Sequence, residues 1–278
     1  MNNQVNKFQF LIFFIILLTG CSEDLFTSSE RKILELQNNG RITSQTFQQF
    51  NQASPKVQKR LVLASANSGK PELLPSLIDL YSETTPLVRQ SVAFALSQFD
   101  SQEARNFLIT ALKTESVPEV KEQLLLSLGK LGQEEDLSWI LETFWDNGQK
   151  LVLLRTIGYF FDRDITTPQA AKICIQSLRS DQHKVGFEAA TTLTRFDDLE
   201  TLQQNLPAFQ KAYQNSSAET RQKLLNILSK LNFDNKNKLF LKALEDSVDQ
   251  IQIEAARHLS QMEPIQPFIM KALQMDLR

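Results

Sequence analysis

The stretch Thr85 to Lys113 reads TPLVRQSVAFALSQFDSQEARNFLITALK, and its pattern decides the fold. Thr85 suits an N-cap, and Pro86 takes the first helical position, where its missing N–H costs no hydrogen bond. Val88, Val92, Ala95, Leu96 and Phe99 follow at helical spacing and make one apolar stripe. Asp100-Ser101 breaks that helix and suits the cap of a second, whose stripe is Phe107, Leu108, Ala111 and Leu112. Two amphipathic helices of this length close no core by themselves, so the pattern calls for neighbours of the same kind.

Those neighbours are in the sequence. Counted from Val88, the related positions are Val57, Val120, Val152, Val185, Thr220 and Ile251, a period of roughly 31 to 35 residues. Eight residues beyond most of these anchors stands a large apolar residue: Leu96, Leu128, Phe160, Leu193, Leu228, Leu259. The Val57 copy is degenerate, and the copy around Val152 is hard to register. Ser116 with Glu119 and Ser216 with Glu219 have capping-box spacing and place two further helix starts. Residues 30–53 depart from the pattern and read as N-terminal capping helices, with the repeat array over 54–278. Gly158 stands inside an apolar helix, KLVLLRTIGYFF.

The 278 residues are 42% hydrophobic with only 8 Gly, and no period-2 alternation is present, so an all-α chain is expected. Net charge is −2, and no basic stripe points to nucleic acid. Two cysteines and two histidines supply neither a disulfide framework nor a metal cluster, and Cys174 reads as a small buried hydrophobe. His183 and His258 stand alone. No Ser/His/Asp set and no Gly-rich phosphate loop occurs, so no catalysis, cofactor or small-molecule substrate is expected. Asp162, Asp164, Asp197 and Asp198 fall in turns, where capping explains them.

The N-terminus carries an address. Phe10 to Leu18, FLIFFIILL, is an apolar run too short for a comfortable membrane span, with Lys7 ahead of it. Leu18-Thr19-Gly20-Cys21 after it resembles the bacterial lipobox. The resemblance implies a signal peptide over 1–20, cleavage before Cys21, acylation of that cysteine (palmitate among the chains) and a tether over 21–29. An ordinary signal peptide, or a short uncleaved anchor, is the competing reading. Ser22 after the cysteine resembles the outer-membrane sorting pattern if the cell is Gram-negative.

The order of anchor, basic residue and paired small apolar residues (Val88-Arg89, Val92-Ala93, Ala95-Leu96) resembles a short bacterial HEAT repeat, over about Ser54 to Leu273. The resemblance implies an armadillo-type α solenoid, a right-handed α–α superhelix of about seven helical hairpins, with the Val-Arg helices lining its concave side. Positions two and six after each anchor point away from the main stripe. Their apolar members Phe94, Leu126 and Phe187, with Tyr159 nearby, are candidate partner-binding residues. The competing reading is that they pack between repeats. Together these features lead to the expectation of a scaffold, lipid-anchored at Cys21, that binds a protein partner at the cell envelope. The alternative is the non-catalytic front array of a larger envelope enzyme, such as a cyclophilin-type prolyl isomerase.

Overall fold

A computed structural model describes residues 27–82, 84–145 and 148–261. The leader, Cys21, most of the tether and the last residues, 262–278, lie outside that range. The described chain is all helix, with no strand. It divides into two compact units, Met1–Phe99 and Asp100–Arg278, and each is described by itself.

In the first unit, α1 (Ser28–Asn38), α2 (Ser44–Phe50), α3 (Pro55–Ser68), α4 (Leu74–Ser82) and α5 (Pro86–Leu96) follow in order. A capping box opens α1: the Thr27 hydroxyl accepts from the Glu30 amide, and the Glu30 carboxylate accepts from the Thr27 amide at 2.8 Å. Pro55 and Pro86 stand in the first turns of α3 and α5, as their fixed φ favours. Gly69 closes α3 at φ 62°, a left-handed turn that favours glycine. Helix α3 packs along both α1 and α5, while α2 lies against α3 and α4 against α5. Val88, Val92 and Leu96 are fully buried, as the stripe requires.

In the second unit the helices are α6 (Gln102–Thr114), α7 (Pro118–Leu131), α8 (Glu134–Phe144), α9 (Lys150–Phe161), α10 (Pro168–Ser177), α11 (His183–Leu193), α12 (Leu199–Gln204), α13 (Leu206–Asn215), α14 (Ala218–Lys230), α15 (Lys236–Ala243) and α16 (Asp249–Leu259). One set stacks in sequence, α7 on α9, α9 on α11, α11 on α14 and α14 on α16. The others flank it. Each stacking helix pairs with the flanking helix that precedes it: α6 with α7, α8 with α9, α10 with α11, α13 with α14, α15 with α16.

This pairing sets the phase of the repeat. In the first unit too, α2 precedes and pairs with α3, and α4 with α5. The described residues thus hold seven pairs, each a flanking helix followed by a stacking one. The stretch Thr85–Lys113 therefore joins the stacking helix of one pair to the flanking helix of the next, and the boundary between compact units falls inside it, after Phe99. Helix α1 has no flanking partner ahead of it among the described residues.

Several local expectations are corrected. Ser116 does not cap α7; its N-cap is Val117, and the amides of Ser116 and Val117 both donate to the Glu115 carboxylate at 3.0 Å. Pro118 contributes no amide, which reduces the need for a hydroxyl cap. The N-cap of α14 is Ser217 rather than Ser216, and its hydroxyl lies 3.1 Å from that of Thr220. The flanking element Leu199–Asn215 is broken in two around Asn205, because Pro207 has no N–H to continue the ladder.

Candidate interaction surface

Hydrogen bonds tie the stacking helices α7, α9, α11 and α14 of the second unit together near their C-terminal ends, and at both ends between α9 and α11, so these helices run parallel and in register. Arg163 Nη2 donates to the carbonyls of Gly129 (3.1 Å) and Gly132 (2.6 Å). Arg195 Nη1 meets Asp162 at 3.1 Å, and Lys230 Nζ donates to the Thr194 carbonyl at 3.3 Å. One turn from the other end, Arg155 Nε meets Glu188 at 3.0 Å. Each of the three cations stands ten beyond its anchor, taken as Leu153 in α9, and reaches a group nine beyond the preceding one (Gly129, Asp162, Thr194), while Arg163 also reaches Gly132, twelve beyond.

Register fixes the copy that the sequence leaves uncertain. Its anchor is Leu153, which is fully buried, and not Val152. Leu153 lies 33 residues after Val120 and 32 before Val185. With that correction, the residues ten beyond the anchors are Lys130, Arg163, Arg195 and Lys230, all basic. They stand at the C-terminal ends of α7, α9, α11 and α14, where the helix dipole and unpaired carbonyls favour cations. Reading the copy from Val152 puts Asp162 in that place, which is why the basic row is invisible in the sequence.

The candidate residues fall into the rows that register defines. Leu126, Tyr159 and Thr191 share the row six beyond the anchor, and Phe187 lies one turn away on α11 beside Arg155. Leu126, Tyr159 and Phe187 are each half-buried, so each offers part of its apolar surface to solvent. Tyr159 packs tightly: its Cβ is 3.1 Å from where a side chain on Gly129 would begin, and Lys130 Nζ stands 5.3 Å from its ring centre. Thr191 adds a buried hydroxyl with no hydrogen-bond partner among the described residues. Phe94 belongs to the first unit, where it is 36% exposed on α5 together with Leu87, one face and seven residues away. The structure thus brings Leu126, Tyr159 and Phe187 onto neighbouring helices of one unit.

Two basic residues of the first unit have structural partners. Lys56 meets Glu30 at 3.3 Å, and Arg89 donates to the Thr84 carbonyl at 2.8 Å while lying over Tyr81. Of the turn aspartates, Asp198 caps α12, and the Thr201 hydroxyl first, then the amides of Thr201 and Glu200 that it also accepts from, hold its carboxyl below the usual range. Cys174 is fully buried, and burial pushes its thiol far up, so it is inert as a nucleophile at neutral pH. His258 is buried edge-on against Phe240 with Nε2 3.1 Å from Glu254. Among the described residues no group of three or more His, Cys, Asp or Glu is placed to hold a metal. No described helix is long and apolar enough to cross a membrane.

The HEAT-repeat family model matches residues 43–129 and again 75–158. Both matches open at a flanking helix, α2 or α4, and close in a stacking one, α7 or α9, the phase that the helix pairing defines. The chain is a HEAT-repeat protein. No curated protein matches it. Solved structures similar to it include human deoxyhypusine hydroxylase in complex with glycerol, at 16% identity and a TM-score of 0.36, over 83% of this chain and 88% of that one. An engineered protein from a structural genomics consortium is similar at 17% identity and a TM-score of 0.37, over 86% of this chain and 99% of that one. Likenesses of this size say nothing about activity.

Proposed function

We propose that this HEAT-repeat chain is a scaffold that binds a protein partner at the bacterial cell envelope, held there by acyl chains on Cys21 and without catalysis of its own. The observation that carries the reading is the set of half-exposed apolar residues on successive stacked helices, Leu126 and Tyr159 in one row and Phe187 one turn from it. A rigid row of apolar side chains on helices, rather than on loops, is the kind of surface from which binding hot spots are built. The lipobox-like Leu18-Thr19-Gly20-Cys21 supports export and the anchor. More than one acyl chain makes such attachment stable.

The test is crosslinking in intact envelopes followed by affinity purification. The wild-type chain is expected to recover one specific protein. Leu126→Asp/Tyr159→Asp/Phe187→Asp is expected to lose it while keeping its helical circular-dichroism signal. Recovery of the same protein by both forms would remove this surface from the reading, and recovery of nothing specific by either would remove the scaffold role.

A further inference from the structure

The first unit carries a charge pattern that the apolar row does not use. Between Thr27 and Arg60 six basic residues, Arg31, Lys32, Arg41, Lys56, Lys59 and Arg60, stand against two acidic ones, Glu30 and Glu35, a net of +4. Residues 100–278 carry 21 basic against 25 acidic residues, a net of −4, so the excess is local. Five of the six bases gather at one end. Arg31 and Lys32 lie in the first turn and a half of α1, and Lys56, Lys59 and Arg60 in the corresponding part of α3. These two ends lie side by side, because α1 packs along α3 and Lys56 Nζ reaches Glu30 at 3.3 Å. Arg31, Lys32 and Lys56 are exposed, and Lys59 and Arg60 are half-buried. Of the described carboxylates here, Glu30 is engaged in its capping box and on Lys56, and Glu35 on Lys32 at 3.3 Å; the tether ahead adds Glu23 and Asp24, which leaves a net of +2 from Cys21 to Arg60. The amino ends of two helices add positive partial charge at the same place.

This is also the end at which the chain enters the fold. Six peptide units separate Cys21 from Thr27, and they span at most about 20 Å. We propose that the basic end of α1 and α3 is a second, electrostatic membrane contact that settles on anionic lipid headgroups beside the acylated Cys21. The inference rests on the anchor reading above, because the short covalent link is what keeps this end near the surface. Charges act on a membrane only within about one screening length, about 8 Å at physiological salt. A tether of at most about 20 Å keeps the end within a few such lengths of the headgroups, and contact completes the approach. An acyl chain combined with a basic patch is a stronger anchor than either alone.

Two arms of one experiment separate the inference from its premise. In the first, the chain from residue 21 with Cys21→Ser, which has no acyl chain, is sedimented with vesicles. Vesicles of phosphatidylglycerol and phosphatidylethanolamine are expected to bind it, phosphatidylcholine vesicles to bind it far less, and added salt to weaken the difference. Each Lys or Arg at an anionic surface strengthens partitioning about fivefold. Arg31→Gln/Lys32→Gln/Lys59→Gln should therefore lower binding more than tenfold, with an unchanged thermal midpoint. Equal binding to the two vesicle types, equal binding by the variant, or equal affinity for a soluble acidic polypeptide would each overturn the lipid contact. In the second arm, labelled palmitate is followed into the full-length chain and into its Cys21→Ser form in bacteria. Label in the first form only is expected; its absence from both would overturn the anchor whatever the vesicles report.

Discussion

At the scale of single residues, two glycines show how much of a site a sequence withholds. Gly129 and Gly158 both sit in helices, where glycine costs about 1 kcal/mol relative to alanine. A Cβ on Gly129 would lie 2.9 Å from the Thr156 carbonyl and 3.1 Å from Tyr159 Cβ, both fixed by a packed neighbouring helix. A Cβ on Gly158 would crowd the tip of Arg195, at 2.7 Å, and make ordinary contact with Thr192 Oγ1, at 3.4 Å. Gly129→Ala should therefore destabilise by about 1–3 kcal/mol, since overpacking against backbone has no easy relief. Gly158→Ala should be near neutral, the gain in helix propensity offsetting a weakened Arg195–Asp162 pair of half-exposed groups. Thermal unfolding of the two variants checks the contrast. His258 gives a second test. Burial lowers its imidazole pKa from 6.5, the hydrogen bond it donates to Glu254 opposes this, and Arg257 and Lys236 add to the lowering. The unfolded chain then takes up the proton more readily. Stability present above about pH 6.5 should fall as acid is added through and below that value, and His258→Gln should flatten the fall. Urea unfolding between pH 8 and 5 reads both slopes. Both histidines were visible in the sequence as lone residues, but the partners Phe240 and Glu254 were not.

At the scale of elements, the apolar stripes were legible because helical periodicity is a local property. Every anchor but one stood where the stripe placed it. The exception, Val152 for Leu153, arose in KLVLLRTIGYFF, where apolar residues surround the helix and periodicity gives no phase. Partners across helices supply it. The same limit applies to the caps, where Glu115 does the work expected of Ser116 from the other side of the turn. Ion pairs were also beyond reach, although they differ sharply in weight. Arg105 Nε meets Asp136 at 2.6 Å with the side chains only 11% and 7% exposed, and that hydrogen bond raises the Arg105 pKa. Arg105→Ala should cost about 3 kcal/mol, because it strands a buried carboxylate. Arg155→Ala, at a pair whose arginine is half exposed, should cost less than about 1 kcal/mol. Denaturant midpoints of the two single variants decide between them.

At the scale of the whole molecule, the sequence disclosed the period but not where one repeat stops and the next begins. A period of 31 to 35 residues contains two helices and two turns, and either turn will serve as the boundary on paper. Helix pairing places it after each stacking helix, so that the stretch from which the repeat was first recognised spans the seam between Phe99 and Asp100. Charge is divided just as unevenly, with positive charge gathered around α1 and α3 and a negative excess beyond Asp100. The candidate partner residues were legible as apolar positions off the main stripe. That Leu126 and Tyr159 share a row was not, because the row exists only once the helices are aligned.

That alignment makes each stacking helix a ruler of fixed length. The basic residue stands ten positions after the buried anchor in α7, α9, α11 and α14, although the distance from one anchor to the next ranges from 31 to 35. All the slack is held outside that interval, in the turns and in flanking elements such as the broken Leu199–Asn215. One alanine inserted after Arg155 would turn everything beyond it by about 100°. Arg163 would leave its carbonyls and Tyr159 its row, and the thermal midpoint is expected to fall steeply. The same alanine inserted between Asp197 and Asp198 should pass with little effect. The protein can gain or lose length, but only where nothing is being measured.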